Sequence, residues 1–225
     1  MSLEQLHPGV FRIKTETETL LATLNQRPGQ AVYGETLIDL DGRQYRSWSP
    51  FRSKLAAAIM KGLRNVRLSP GDRVLYLGVA SGTTCSHISD IVSLGGHIWG
   101  VEFSPRSMRD LIEKLVKHRE NISPILADAR RPERYVVLVP RVDAIYADVA
   151  QPDQAEILVK NAASFLKEGG WATMAIKSRS IDVAKAPQEV YQQQMGVLEK
   201  GGLEIVESLE LDPYERDHAL VVCRL

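Results

Sequence analysis

From Asp72 onward, short apolar runs alternate with longer stretches whose apolar positions recur every three or four residues. The runs at 74–79 (VLYLGV), 97–103 (HIWGVEF), 122–128 (ISPILAD), 142–149 (VDAIYADV) and 171–177 (WATMAIK) read as strands. The intervening stretches read as helices. SGTTCSHISDIVSL opens on residues that cap helices. Ser104-Pro105 supplies an N-cap and a proline at the first helical position, and Met108, Leu111, Ile112, Leu115 and Val116 then line one face. Further helices are predicted over 153–167 and 187–200. Strands separated by helices form a parallel sheet covered on both faces.

The two ends depart from that alternation. GLEIVESLEL and DHALVVCR close the chain as two strands with no helix between them, so they pair as a hairpin and one runs antiparallel. Residues 1–48 read as a small β domain, with GVFRIK and TLLATLN as β-rich runs. In TLIDLDGRQYRSW, Asp41-Gly42 between alternating segments predicts a tight hairpin. A helix is expected after Pro50, with Phe51, Leu55, Ala58, Ile59, Leu63 and Val66 at helical spacing, until SPGD at 69–72 breaks it. The expectation is an α/β chain: a small β domain at 1–48 and, over 49–225, a mostly parallel seven-stranded sheet with an antiparallel C-terminal strand. That sheet is the arrangement of Rossmann-like methyltransferases.

Composition narrows the picture. With 225 residues, 44% hydrophobic and 25% charged, the chain can bury a core. No apolar run approaches the roughly 20 residues that span a bilayer, and MSLEQLHPGV lacks the features of a secretory leader, so a cytoplasmic location is expected. The only cysteines, Cys85 and Cys223, are expected to be reduced core residues, and no metal site is assigned. Zero net charge argues against a broad basic face that grips nucleic acid alone. One segment stands out: 42–71 holds seven basic residues (Arg43, Arg46, Arg52, Lys54, Lys61, Arg64, Arg67) and no acid, with Tyr45 and Trp48 interleaved. It is either a phosphate-facing stripe, extended by Arg106, Arg109, Arg130, Arg131 and Arg134, or a basic helix offset by acidic neighbours.

In open parallel sheets ligands bind beyond the carboxyl ends of the strands, and polar candidates stand at that place four times. After the first strand comes the loop Gly78-Val79-Ala80-Ser81-Gly82-Thr83-Thr84. Ala80 occupies the second glycine position of the dinucleotide fingerprint, which argues against a pyrophosphate. Glu102 ends the second strand 20 residues beyond Gly82, suited to ribose hydroxyls, and Phe103 beside it offers a face to adenine. Asp128 ends the third strand, suited to an exocyclic amine, and Asp148 ends the fourth.

At these positions the chain resembles the fibrillarin family. VLYLGVASGTTCSHISDIV, GVEFSPRSMRDL, NISPILADARRPERY, DAIYADVAQPDQ, MAIKSRSIDVAKAP and LDPYERDHALVV follow one another as in that family, as does YGETLIDLDGRQYRSWSPFRSKLAAAI upstream. The absence of a Gly/Arg-rich leader resembles the archaeal form, for which the resemblance implies a cytoplasmic location; a eukaryotic member would work in the nucleolus. The resemblance implies S-adenosylmethionine as cofactor and transfer of a methyl group to the 2′-oxygen of ribose in ribosomal and transfer RNA. It implies work inside a box C/D ribonucleoprotein, with a Nop-domain scaffold protein, a kink-turn-binding subunit and a guide RNA that selects the target. By position, Gly78, Ala80, Thr83, Thr84, Glu102, Phe103, Asp128, Ala129, Asp148 and Gln151 would surround the cofactor. Lys54, Asp148 and Lys177 match the family's catalytic positions, and Asp182 would complete a Lys-Asp-Lys-acid set. Asp148 either accepts the proton or holds Lys177 in place. His218, in Asp217-His218-Ala219, is expected to be hydrogen-bonded for structure. A methyltransferase for other substrates, a Rossmann dehydrogenase and a non-catalytic scaffold are the rival readings.

Overall fold

The computed structural model describes all 225 residues. The amino-terminal sheet has five strands: β1 (Ser2–His7), β2 (Val10–Lys14), β3 (Thr19–Leu24), β4 (Leu37–Leu40) and β5 (Arg43–Ser47). All pairs are antiparallel, in the order β1-β2-β3-β5-β4. The β4–β5 turn is the expected Asp41-Gly42 pair, with φ of 50° and 72°, the left-handed conformation that a tight hairpin requires. β1 was not singled out in the sequence: SLEQLH is mostly polar and largely exposed, and only its partner β2 defines it.

The larger sheet is built from β6 (Arg73–Leu77), β7 (His97–Glu102), β8 (Ile122–Leu126), β9 (Val142–Ala147), β10 (Leu166–Lys177), β11 (Glu204–Glu210) and β12 (His218–Arg224), in the order β11-β12-β10-β9-β6-β7-β8. β8, β7, β6, β9 and β10 are mutually parallel. β12 slots between β10 and β11, antiparallel to both, so the closing hairpin contributes one reversed strand. Strand period places alternate residues on opposite faces. Val74, Tyr76, Ala144 and Tyr146 join one buried cluster, while Leu75, Leu77, Ile145 and Ala147 join the other. Helices α1 (Lys54–Met60), α2 (Thr83–Val92) and α3 (Pro105–Lys114) contribute to the first; α4 (Gln154–Phe165) and α6 (Pro187–Lys200) contribute to the second. A single turn, α5 (Ser178–Ile181), follows β10. Cys85 and Cys223 are fully buried free thiols, and burial pushes both up to about 12.

Two expectations need correction. The helix after Pro50 is seven residues long rather than running to Val66. Ser53 caps its start by accepting the Ala56 amide, and Gly62, at φ 95°, turns the chain away. Leu63 and Val66 are buried, but from an irregular segment. The basic stripe is also not one surface, since Tyr45, Arg46 and Trp48 are buried. Arg46 donates to Glu35 Oε1 at 2.6 Å and to Asp90 Oδ2 at 2.7 Å. Asp90 also pairs with Arg119 and accepts from the Thr23 hydroxyl at 2.9 Å. His87, stacked on Trp48 with centroids 4.7 Å apart, lies between Thr23 and Tyr33. This network ties β3 and β5 to α2. Val10, Leu21 and Trp48 meanwhile enter the core of the larger sheet, so the small sheet shares a core with it.

Candidate active site

The carboxyl ends of β6, β7, β8 and β9 open into one cavity of about 320 Å³, large enough for a nucleoside-sized ligand. Eight of the expected cofactor positions behave as a set: Gly78, Ala80, Glu102, Phe103, Asp128, Ala129, Asp148 and Gln151 all line it. Thr83 and Thr84 do not. They begin α2 behind the loop, and Thr84 is buried, its hydroxyl 3.0 Å from the Ser53 hydroxyl to which it donates.

The loop after β6 carries the closest fit. Gly78 has φ 76°, and a Cβ there would stand 2.9 Å from the Asp148 carbonyl oxygen. Ala80 holds φ 49°, a left-handed conformation rare for a residue with a Cβ. Its amide donates to Glu102 Oε2 at 2.9 Å, while Oε1 accepts the Ser104 amide at 2.9 Å. Glu102 is 6% exposed. Each of its oxygens keeps a second lone pair, so the pinned carboxylate can still accept from a ligand. Phe103 is 64% exposed on the cavity wall and presents an apolar ring. Asp128 Oδ1 accepts the Arg130 amide at 2.9 Å, and Oδ2 makes no hydrogen bond within the chain.

Gln151 is held by a clamp that the sequence did not reveal. Arg130 donates through Nη2 to Gln151 Oε1 at 2.7 Å, and through Nε and Nη2 to both Asp153 oxygens at 2.7 and 2.6 Å. The Asp153 carboxyl lies below the usual carboxylate range, chiefly because it accepts from Arg130. Arg130 therefore does not extend a free phosphate-binding cluster. Gln154, fully buried, works beside it: Nε2 donates to the Gln151 carbonyl at 3.0 Å, and Oε1 accepts the Lys177 amide at 3.1 Å. The run Gln151-Pro152-Asp153-Gln154 thus couples the cavity wall to the end of β10. The pairing of Gln154 with a backbone amide 23 residues away is invisible to spacing.

At the cavity's edge three charged groups meet. Asp148 Oδ1 lies 2.8 Å from Lys177 Nζ and 3.3 Å from Lys54 Nζ. Lys54 Nζ also donates to Oδ2 at 3.4 Å, and Lys177 Nζ to the Asp148 carbonyl at 2.9 Å. Oδ1 is buried between the two ammonium groups, and its contacts are ion pairs without the direction of a hydrogen bond. The side chains are 14–16% exposed, sheltered enough for the charges to act strongly. Two cations against one anion leave a surplus positive charge. Lys54 is the first residue of α1, fixed by the Ser53 cap and the Thr84–Ser53 hydrogen bond, rather than a free cation on a solvated helix face. Asp182 does not join this centre. It accepts the Ala184 amide at 2.9 Å and pairs with Lys185 at 3.6 Å. The side chain across the strand pair from Lys177 is His218, half-buried, with Nδ1 2.6 Å from the Arg216 carbonyl. No group of three or more His, Cys, Asp or Glu side chains is arranged to hold a metal ion.

A parallel sheet closed by one antiparallel strand, with a ligand cavity over its carboxyl ends, defines the class: a Rossmann-like methyltransferase. Within that class the chain belongs to the fibrillarin family, whose profile matches residues 1–225. The fibrillarin-like rRNA/tRNA 2′-O-methyltransferase of Aeropyrum pernix is 55% identical over 214 residues, covering 95% of this chain and 91% of that protein. The crystal structure of Aeropyrum pernix fibrillarin with natively bound S-adenosyl-L-methionine superposes with a TM-score of 0.92 at 52% identity, covering 99% of this chain and 98% of that one. A fibrillarin/Nop5p complex contains a chain that matches with a TM-score of 0.86 at 43% identity, covering 97% and 98%.

Proposed function

We propose that this chain is an S-adenosylmethionine-dependent 2′-O-ribose methyltransferase, the catalytic subunit of a box C/D ribonucleoprotein acting on guide-selected ribosomal and transfer RNA. The observation that carries the reading is the Lys54–Asp148–Lys177 centre on the edge of the cavity. The cavity suits the cofactor. The pinned Glu102 carboxylate for ribose hydroxyls, the Phe103 ring for adenine and the Asp128 oxygen without an intrachain partner for its amine form a set that matches a nucleoside. A relative carries this cofactor natively.

The bound cofactor supplies a methyl group on a good leaving group. What this chain must do is bring a ribose hydroxyl into line and ease the loss of its proton. Orientation of two bound reactants is worth roughly 7–11 kcal/mol, and a positioned proton acceptor about 10²–10⁴ in rate. In this reading the Asp148 carboxylate, through the part of it that stays exposed, accepts the hydrogen bond of the incoming 2′-hydroxyl. The surplus cation stabilises the oxygen as it gains negative charge, an effect strengthened by exclusion of water. Lys177 is set by Gln154 and the Asp148 carbonyl, and Lys54 by the cap of α1.

Net charge of zero fits a catalytic subunit that depends on partners to hold RNA. One relative was crystallised with Nop5p, which supports a Nop-domain scaffold as a partner. A kink-turn-binding subunit and a guide RNA complete the proposed particle. The test is transfer of tritiated methyl groups to target RNA as guide RNA and partners are added one at a time. Label should appear on a ribose 2′-oxygen only in the assembled mixture. Label on a base overturns the reaction assigned, and robust site-specific transfer by the isolated chain overturns the dependence on partners.

A further inference from the structure

The cavity accounts for one side of the Lys54–Asp148–Lys177 centre. Outside it, 49–53 leads into α1 at Lys54, and 211–217 leads into β12, whose His218 stands opposite Lys177. The two segments are joined. Lys61, at the end of α1, donates to the Asp212 carbonyl, and Phe51 packs edge-to-face against Tyr214 with centroids 5.2 Å apart. Phe51 is 66% exposed although it stands three residues from Lys54. A lone exposed apolar residue needs no explanation, but this ring is propped by a half-buried tyrosine, and the next residue along the chain is a cation held in place. The Arg52 guanidinium lies 4.9 Å from the Tyr33 ring centroid and donates to the Tyr33 carbonyl at 3.3 Å. None of Phe51, Arg52 or Tyr214 lines the cofactor cavity.

Resting on the function proposed above, we infer that Phe51, propped by Tyr214, is a seat for the sugar of a nucleotide flanking the reacting ribose, with Arg52 beside its phosphate. The reacting hydroxyl of a paired RNA lies in the wide, shallow minor groove, where sugars and 2′-hydroxyls are displayed and recognition is by shape. An apolar ring against a sugar face and a cation near a phosphate fix register without reading sequence, which is what a guide-directed enzyme needs. On the α1 side charge favours RNA, because residues 42–71 contain no carboxylate; of the three acids in 211–217, Asp217 is already paired with Arg179 and Glu215 lies beside His218. The ring acts as a positioning element: it would hold the substrate so that one hydroxyl, and not its neighbour, meets Asp148.

The experiment compares the full chain with F51A, F51Y and F51L in the assembled guide complex. Hydroxyl-radical footprinting of the target strand reports sugar contacts directly. Wild type and F51Y should protect the sugars flanking the target, and F51A should leave them open. F51A should lose about tenfold in kcat/KM for RNA, in the range that burying one aromatic side chain supports. F51Y should recover most of this and F51L part of it, with S-adenosylmethionine affinity of the isolated chain unchanged in all three. An unaltered footprint and rate in F51A overturns the inference. So does loss of cofactor affinity, or loss of scaffold capture in a pull-down, which would assign the ring to folding or to a protein contact. Failure of the wild-type complex to methylate ribose would instead sink the underlying function and is read from the same control lane.

Discussion

Replacing Asp148 by Asn is the sharpest single perturbation, because the amide keeps the volume of the carboxylate and removes only its charge and one acceptor. In the folded chain that carboxylate faces two ammonium groups at 2.8 and 3.3 Å. Opposite charges at about 4 Å interact by about 4 kcal/mol at the dielectric typical of a protein surface. The groups retain 14–16% exposure, so part of that is screened. Removing the shared partner from a largely buried pair costs about 3–5 kcal/mol when burial is complete; about 1–3 kcal/mol is expected here. For a chain of this size that is a fall in Tm of roughly 2–12 °C. The effect on chemistry should be larger. Loss of the positioned acceptor removes about 10²–10⁴ in rate, and misaligned lysines add to it. Single-turnover transfer at saturating S-adenosylmethionine in the assembled complex should therefore fall by about a thousandfold, some 4 kcal/mol of barrier. Methyl transfer within tenfold of wild type, from a variant that folds and binds the cofactor, would refute the role given to Asp148.

Other substitutions probe the supports of that centre. Lys177→Met should lower single-turnover transfer by about a hundredfold or more, and adding Lys54→Met should cost less than the product of the two singles, because both act through Asp148. Arg130→Ala frees Gln151 and Asp153, so the Kd for S-adenosylmethionine by calorimetry should weaken several-fold with little change in saturated rate. Gly78→Ala places a Cβ 2.9 Å from the Asp148 carbonyl at a positive φ; cofactor binding should weaken, with about 1–3 kcal/mol lost in denaturant titration. Burial holds His87 neutral, well below the usual histidine range, with Arg46 reinforcing the effect, while the unfolded chain takes up a proton near pH 6.5. His7 and His97 are lowered in the same direction. Stability should therefore fall as pH drops below about 6.5, by up to about 1.4 kcal/mol per pH unit for each proton taken up on unfolding. Equal stability at pH 5.5 and 7.5 in urea titrations would contradict the buried neutral histidine.

The alternation of strands and helices from β6 to β10 was legible because each element carries its own period and its own start signal, such as Ser104-Pro105 before α3. The strand-end carboxylates were legible for a related reason: the sheet fixes where ligands bind, so Glu102, Asp128 and Asp148 follow from topology. What sequence could not supply was pairing between distant residues. Arg46 looked like a surface cation because its carboxylates, Glu35 and Asp90, lie 11 and 44 residues away. Arg130 looked like part of a basic cluster because the Asp153 that fixes it lies 23 residues on. Helical spacing over 51–66 counted Leu63 and Val66 as helical, although both are buried from an irregular chain beyond Gly62. Asp182 was carried over by resemblance alone, and its side chain turns to Ala184 and Lys185.

A crystal structure of the assembled complex with target RNA and an unreactive analogue of S-adenosylmethionine tests the central claim most directly. The target 2′-oxygen should lie about 3–3.5 Å from the position of the transferable methyl carbon, within hydrogen-bond reach of Asp148 and flanked by Lys54 and Lys177. Adenosine bound outside the cavity over β6–β9, or a target ribose facing away from those three side chains, would contradict it.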